Sequence, residues 1–416
     1  MNSRWLTSAT SALAMAATAQ AQTVAPAAAS APASAAAPAP EVRPPRIEPH
    51  AFAKSSGFRS MALSPDGTLI ATRIILNDQV NLAILDAATR KASDRMAMPK
   101  KHELEWYEWA APGKLLVSLS TMTTLEAEDY KITRLYLFDT ATKQLTLVGK
   151  REMGFIGNDL IYTDPAGQFV LLSMQTSIYD YPSVWRFPLD GTAIKSGKEV
   201  QEPKPGVLQW AADNKGVVRW GVEVTTGRKL KFWYRNGPED RFRVAGKIDE
   251  DTAENDLFDI QRIMSGSDEG YVLKKDDTGR VALRKFNFAT RTAGEVVAAV
   301  PGWDIDEAWF DRDDKPFAVT YTDDRDRIIW LDPATKQTQA RLDRAMKGSD
   351  VWLSSRARDL SRMLVWVSHE DDPGGMYIFD AAKRTLDPIY GELPLLEREH
   401  LTAPKPITYK ARDNTE

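Results

Sequence analysis

Cysteine is absent from this 416-residue chain. That excludes disulfides, a thiolate nucleophile and every cysteine-type metal site. Histidine is scarce, with only His50, His102, His369 and His400. A triad built on any of them needs a serine on a strained turn, and no G-x-S-x-G elbow occurs. Gly266-Ser267-Asp268-Glu269-Gly270 comes nearest, but its spacing is wrong and it reads as a turn. An excess of either charge is lacking too. The formal net charge is −4, which gives no electrostatic reason to expect nucleic acid or an anionic membrane as partner. No mature run approaches the roughly 20 apolar residues of a membrane-spanning helix. These absences leave no catalytic, cofactor-binding or metal-binding residue to nominate, and no cofactor is expected.

The first residues read as an address. Arg4 gives a positive start, residues 6–19 are mildly apolar, and Ala19-Gln20-Ala21 fits the small-x-small cleavage rule. The pattern predicts a signal peptide over 1–21, cut after Ala21, and a periplasmic or secreted protein. Residues 22–50 are mostly Ala, Pro and Ser, too polar and small to offset their ordering entropy, so a disordered linker is expected. The folded part should begin near Phe52 or Phe58.

What is present in abundance is repetition. Leu85-Asp86-Ala87-Ala88-Thr89-Arg90 returns as Phe138-Asp139-Thr140-Ala141-Thr142-Lys143, then as Leu189-Asp190-Gly191-Thr192 and Arg235-Asn236-Gly237. Further copies are Phe286-Asn287-Phe288-Ala289-Thr290-Arg291, Leu331-Asp332-Pro333-Ala334-Thr335-Lys336 and Phe379-Asp380-Ala381-Ala382-Lys383-Arg384. The period is about 50 residues, the length of a propeller blade. An apolar strand running up to an Asp or Asn corner, then leaving as a second strand, is the hairpin between a blade's last two strands.

A second set of turns alternates with the first. Ser64-Pro65-Asp66-Gly67 is followed by Ala111-Pro112-Gly113-Lys114, Asp164-Pro165-Ala166-Gly167 and Asp213-Asn214-Lys215-Gly216. Then come Asp268-Glu269-Gly270, Asp311-Arg312-Asp313-Asp314-Lys315 and Arg356-Ala357-Arg358-Asp359. Each precedes a β-rich run, such as residues 114–120, 169–174 or 363–367. Trp109, Trp210, Trp309 and Trp352 stand before four of these turns, as if one blade position carried a wedge between neighbouring sheets. The expectation is an all-β, seven-bladed β-propeller of four-stranded antiparallel blades over residues 52–392. The blades fall at about 57–100, 104–150, 155–200, 206–247, 257–299, 303–343 and 348–391.

Charged clusters read as solvated turns and faces. Asp323-Asp324-Arg325-Asp326 and Glu370-Asp371-Asp372 offer oxygens to a hard cation, yet both fall where a blade's middle hairpin turns. Lys100-Lys101 and Lys274-Lys275 are isolated basic pairs. His102-Glu103-Leu104-Glu105 is placed near a channel mouth, where its carboxylates either hold a peptide amino group or stand as rim charges.

The C-terminal region carries a resemblance. The residues are Ser368-His369-Glu370-Asp371-Asp372-Pro373-Gly374-Gly375-Met376-Tyr377, then Glu392-Leu393-Pro394, then Ile407-Thr408-Tyr409-Lys410-Ala411-Arg412-Asp413-Asn414. This resembles the prolyl oligopeptidase (S9) family of serine peptidases, particularly its acylaminoacyl-peptidase and dipeptidyl-peptidase-like members. In that family an Asp-Pro-Gly hairpin lies in the last blade, and a Pro-rich crossing leads to the first strand of an α/β-hydrolase domain. Asn414 stands where the family usually has Gly. The resemblance implies that residues 393–416 are the crossing and first strand of a hydrolase domain missing from this chain. It implies a non-catalytic, substrate-gating propeller of an exported peptidase, with short peptides as partners through that domain. The other reading is an exported propeller resembling TolB-like repeats, taking a protein partner at its face.

Overall fold

The computed structural model describes residues 47–413 except 77–78, 151–152, 191–196, 226–228, 250–253, 256–258, 312, 397–400 and 406. The expected signal peptide, its cleavage site and linker residues 22–46 lie outside the described residues, as do His400, Asn414 and the Gly191-Thr192 corner. Within the range expected to be linker, a short helix α1 (Pro49–Ala53) opens the folded unit, Pro49–Glu416.

Seven antiparallel sheets follow in chain order. Blade one is β1 (Phe58–Leu63), β2 (Leu69–Leu76), β3 (Gln79–Asp86) and β4 (Ala92–Ala97). Blade two is β5 (Glu103–Ala111), β6 (Lys114–Leu125), β7 (Glu128–Asp139) and β8 (Gln144–Val148). Blade three is β9 (Asp159–Thr163), β10 (Phe169–Met174), β11 (Ser183–Pro188) and β12 (Lys198–Gln201). Blade four is β13 (Val207–Ala212), β14 (Val218–Val224), β15 (Leu230–Tyr234) and β16 (Arg243–Asp249), with a two-residue fifth strand β17 (Glu254–Asn255). Blade five is β18 (Asp259–Ile263), β19 (Glu269–Lys275), β20 (Val281–Asn287) and β21 (Thr292–Ala298). Blade six has three strands, β22 (Ile305–Phe310), β23 (Pro316–Thr322) and β24 (Asp326–Trp330), then helix α2 (Pro333–Ala345). Blade seven is β25 (Asp350–Arg356), β26 (Arg362–His369), β27 (Asp372–Asp380) and β28 (Thr385–Gly391). First strands of neighbouring blades approach one another, so they line the axis.

The core lies between blades. Among the described residues there are seven apolar clusters, and each joins one adjacent pair, including blade seven to blade one. The second strand of a blade is therefore covered on both faces, and its alternate residues face opposite neighbours. Leu115, Val117 and Leu119 of β6 pack toward blade one, whereas Leu116 packs toward blade three. Val170, Leu172 and Met174 of β10 face blade two, and Leu171 faces blade four. Burying such side chains contributes roughly 1.5–3 kcal/mol each.

The Asp corners form as expected. Thr89 N–H donates to Asp86 Oδ1 at 2.7 Å, and Ala141 and Thr142 N–H both donate to Asp139 Oδ1 at 2.9 Å. The Thr142 amide, with its neighbours, holds the Asp139 carboxyl below the usual range. Glycines in the first turns serve a second purpose. Gly167 sits at φ +69 with room for no side chain, since a Cβ would lie 2.3 Å from that of Ala111 in blade two. Gly67 and Gly216 have φ of +71 and +76 and rest in the same way on Ala357 and Tyr162 of the preceding blades.

Four expectations need correction. The sixth corner starts a helix, not a strand. Asp332 accepts the Thr335 N–H at 2.8 Å and Pro sits in the first turn, which together make an N-cap stronger than the hairpin signal. The turn placed at Asp268-Glu269-Gly270 lies just before Glu269, which already belongs to β19. The Asp-Pro-Gly hairpin of blade seven is displaced as well. The chain reverses at Glu370-Asp371, and Pro373 and Gly374 lie in β27, where Gly374 at φ +86 fits against Val367 O and Ser368. Finally, the tryptophans share no single position. Trp109 and Trp210 donate their Nε1–H to Ala62 O (2.9 Å) and Pro182 O (2.7 Å) of the preceding blade. Trp309 instead packs toward blade seven, and Trp352 pairs with Trp366 inside its own sheet.

Gly167→Ala should destabilise the protein by about 2–4 kcal/mol, because strain at positive φ adds to overpacking against Ala111. Asp332→Ala should cost about 1 kcal/mol through loss of the α2 cap. Urea unfolding midpoints check both, with the larger loss expected for the glycine.

Candidate functional site

Each four-stranded blade begins and ends on the same face of the ring, whereas in blade six β24 ends on the opposite face and α2 follows. The chain enters that face before β1 and leaves it after β28, where Ser56 N–H donates to Glu392 O at 2.9 Å. Arg59 pairs with Glu392 at 2.9 Å beside it, and Phe58 stacks on Tyr390 at 5.2 Å. The middle hairpins and the blade-to-blade crossings share this chain-end face. The opposite face carries both sets of repeated turns.

The two faces differ in chemistry. Large apolar side chains are exposed at the chain-end face: Ile75 and Leu76 ending β2, Met122 and Leu125 ending β6, Ile156 and Trp303 on crossings, Tyr179 and Tyr181 on the β10–β11 loop. Tyr179 is 84% exposed and Met122 60%. The turn face is closed by Asp and Ser side chains bonded to their own backbone, as where Ser64 Oγ accepts from Thr68 and Leu69 N–H. Its axial mouth is spanned by Arg358, whose N–H donates to Pro65 O of blade one (2.8 Å) and whose Nη2 donates to Pro165 O of blade three (2.6 Å).

The acidic clusters meet on the chain-end face. Arg325 Nη1 lies 3.1 Å from Asp350 Oδ2, and its Nη2 reaches Asp324 at 3.3 Å and Glu370 at 3.6 Å. Arg327 holds Asp323 at 3.0 Å. These carboxylates are thus matched by guanidinium groups across blades six and seven. His369 Nδ1 contacts Asp371 Oδ1 at 2.5 Å, and His102 Nδ1 lies 3.1 Å from Lys100 O. Neither ring is hydrogen-bonded to a serine among the described residues. His50 falls in α1.

The carboxylates of Glu103 and Glu105 do lie at this face, but they differ. Glu105 is held by Lys131 Nζ at 2.6 Å and Ser120 Oγ at 2.5 Å. Burial opposes its charge, yet Lys131 and Ser120 outweigh burial and keep its carboxyl below the usual range. Glu103 remains largely exposed. It lines a cleft of about 620 Å³ with Lys101, His102, Thr121, Met122, Thr124 and Asp129. On the axial wall, burial pushes Asp259 up to about 6, and the nearby charge of Glu307 adds to the rise.

Sequence reading missed the buried polar knot between blades four and five. Arg219 is fully buried in β14 and pairs with Asp213 at 3.0 Å. It also donates to Tyr234 OH (2.8 Å), Arg235 O (2.7 Å) and Ser267 O (2.5 Å). The available signal was a charged residue inside the apolar run of a second strand. The C-terminal residues 401–405 and 407–411 form no strand, and Ile407 and Tyr409 are exposed.

No family model matches this chain, and no curated protein matches it in sequence. Its fold does match solved structures. A structure from work on two prolyl endopeptidases aligns over 87% of this chain and 53% of its own, with TM-score 0.51 and 12% identity. Prolyl oligopeptidase B from Galerina marginata, as apo protein, aligns over 88% and 56%, with TM-score 0.54 and 11% identity. The same enzyme bound to a 35mer hydrolysis and macrocyclization substrate aligns over 86% and 53%, with TM-score 0.50 and 9% identity. The chain spans about half the length of these structures, and the likeness is one of fold.

Asp259 generates a pH prediction. Its folded value lies above the ordinary aspartate value of about 3.9, so its contribution is fully present below that value. The contribution is lost as pH rises through about 6. Denaturant midpoints measured from pH 4 to 7 should fall from this source, and Asp259→Asn should flatten that part of the profile.

Proposed function

We propose that this propeller gates substrate for an α/β-hydrolase domain of the serine-peptidase kind, admitting short extended peptides and refusing folded proteins. The observation that carries this reading is the concentration of exposed apolar side chains on the face where both chain ends emerge. Apolar side chains left exposed on one face of a protein in water favour contact at that face. A domain continuous with either end meets that face first. The likeness in fold to prolyl oligopeptidase structures supports the same reading.

The gating is steric. Arg358 spans the mouth on the turn face, so approach to the axis is left to the chain-end face and to the gap between the propeller and whatever covers it. In hydrolysis itself the acyl group would pass to a serine of the hydrolase domain as the C–N bond breaks and the amine leaves, and water would then release the acid and restore the serine. Export follows from the N-terminal address, and the mature N-terminus should begin after Ala21.

Two measurements test the proposal. The transcript read through and past codon 416 should carry a hydrolase with a serine elbow, Asp and His, in frame or beside it. Its absence would contradict gating and favour an envelope interaction module of the TolB-like kind. A fluorophosphonate probe should leave the purified 416-residue chain unlabelled, and labelling of one serine would show catalysis within the propeller itself.

A further inference from the structure

The middle hairpin of blade two is longer than those of the other blades. β6 and β7 each run 12 residues, whereas the other second strands run 6 to 8. Their pairing continues to Leu125↔Glu128, but β5 leaves β6 at Glu103↔Ser120. Before Glu103 the chain turns aside, with Lys101 at φ +63 and the His102 N–H on Pro99 O at 3.0 Å. Beyond Ser120, that edge of β6 has no neighbouring strand among the described residues.

The register says which groups are free. Glu126 and Ala127 form the tip with φ of +50 and +67, the two left-handed positions of a type I′ turn. In such a hairpin the flanking pair, Leu125 and Glu128, bond to each other, and bonding then alternates along the strand. Leu125, Thr123 and Thr121 face β7. Met122 and Thr124 point their N–H and C=O outward. Both line the 620 Å³ cleft, beside Thr121 and opposite Lys101, His102 and Glu103.

We infer that this cleft takes an extended peptide, paired as an added strand on the free edge of β6. The recognised chemistry is the peptide main chain, bonded to Met122 and Thr124. The free edge has room for about five residues at ~3.3 Å each. The cleft volume falls within the roughly 300–1,000 Å³ of sites that enclose small ligands. Residues 101–103 line the other side of the cleft, so the occupant inferred is a single extended chain and not the sheet edge of a second folded copy. That the bound peptide is a substrate rests on the gating reading. The edge pairing itself does not.

The experiment is residue-resolved amide exchange on the whole chain, with and without a millimolar pool of randomised octapeptides. Backbone pairing is tolerant of sequence, so a pool suffices. Exchange at Met122 and Thr124 should slow at least tenfold with peptide and not at Thr123, already paired with Tyr130. Met122→Pro removes one outward donor at a position where proline is tolerated, and should weaken binding more than tenfold. Met122→Ala, which keeps the donor, should weaken it no more than about threefold. Should the proline variant not fold, the exchange result on the unsubstituted chain decides. Absence of protection overturns the inference. So does protection that tracks dimer formation in sedimentation and ignores peptide. Protection without any hydrolase on the transcript keeps the peptide slot and discards the gating reading, and the converse pair of results does the reverse.

Discussion

A sheet that is apolar on both faces has to be covered twice, and that requirement organises the whole chain. Leu115 and Leu116 are adjacent in β6 and both fully buried, yet they pack toward different neighbours. The same alternation recurs at Val170 and Leu171, at Tyr271 and Val272, and at Leu364 and Val365. A flat stack of such sheets would leave its two outer faces wet. Bending the stack into a ring removes both, because the last sheet covers the first.

Closure here uses side chains and turns, since each blade takes its strands from one continuous stretch. Among the described residues, blade seven is complete by Gly391 without a strand from before β1. What joins it to blade one is an apolar layer of Met61, Leu63, Ile70, Leu364 and Ile378. Backbone bonds at both faces fix the seam: Arg358 N–H to Pro65 O, and Ser56 N–H to Glu392 O. Arg362 Nη1 adds a bond to Gly67 O at 3.0 Å. The topology also sorts the chemistry. The two repeated sets of turns, such as those closed by Ser64, Asp86 and Asp139, fall on one face. Crossings and longer hairpins, with their exposed apolar residues, fall on the other with the chain ends.

The architecture was legible because its signals are local and repeated. An Asp three residues before a Thr is a corner whatever surrounds it, and Asp86 and Asp139 form theirs as expected. Blade six departs because Asp332 also satisfies a helix cap, and Pro333 favours a helix start as readily as a turn. The lengthened β6–β7 hairpin was not legible, since Glu126-Ala127 lacks the Asn-Gly signature of its turn type. Arg219 and Asp213 were missed for another reason. Asp213 and Arg219 stand six residues apart within blade four, but the groups that complete the knot, Met264 O and Ser267 O, come from blade five, 45 and 48 residues away in sequence. On the site, the sequence placed Glu103 and Glu105 at the same face as equals. Only the fold shows Glu105 held by Lys131 at 2.6 Å, while Glu103, 3.9 Å from the same ammonium, stays largely exposed at the cleft.

Closure of the ring between its first and last blades is the claim on which the rest depends, and the absence of native cysteine makes it directly measurable. Pro65→Cys and Arg358→Cys would put the only two thiols of the chain on residues joined by a backbone hydrogen bond across the seam. On mild oxidation of the dilute monomer, both thiols should disappear into one intramolecular disulfide, with faster migration on a non-reducing gel. Thiols that stay free, or that link only separate molecules, would mean that blades one and seven do not meet.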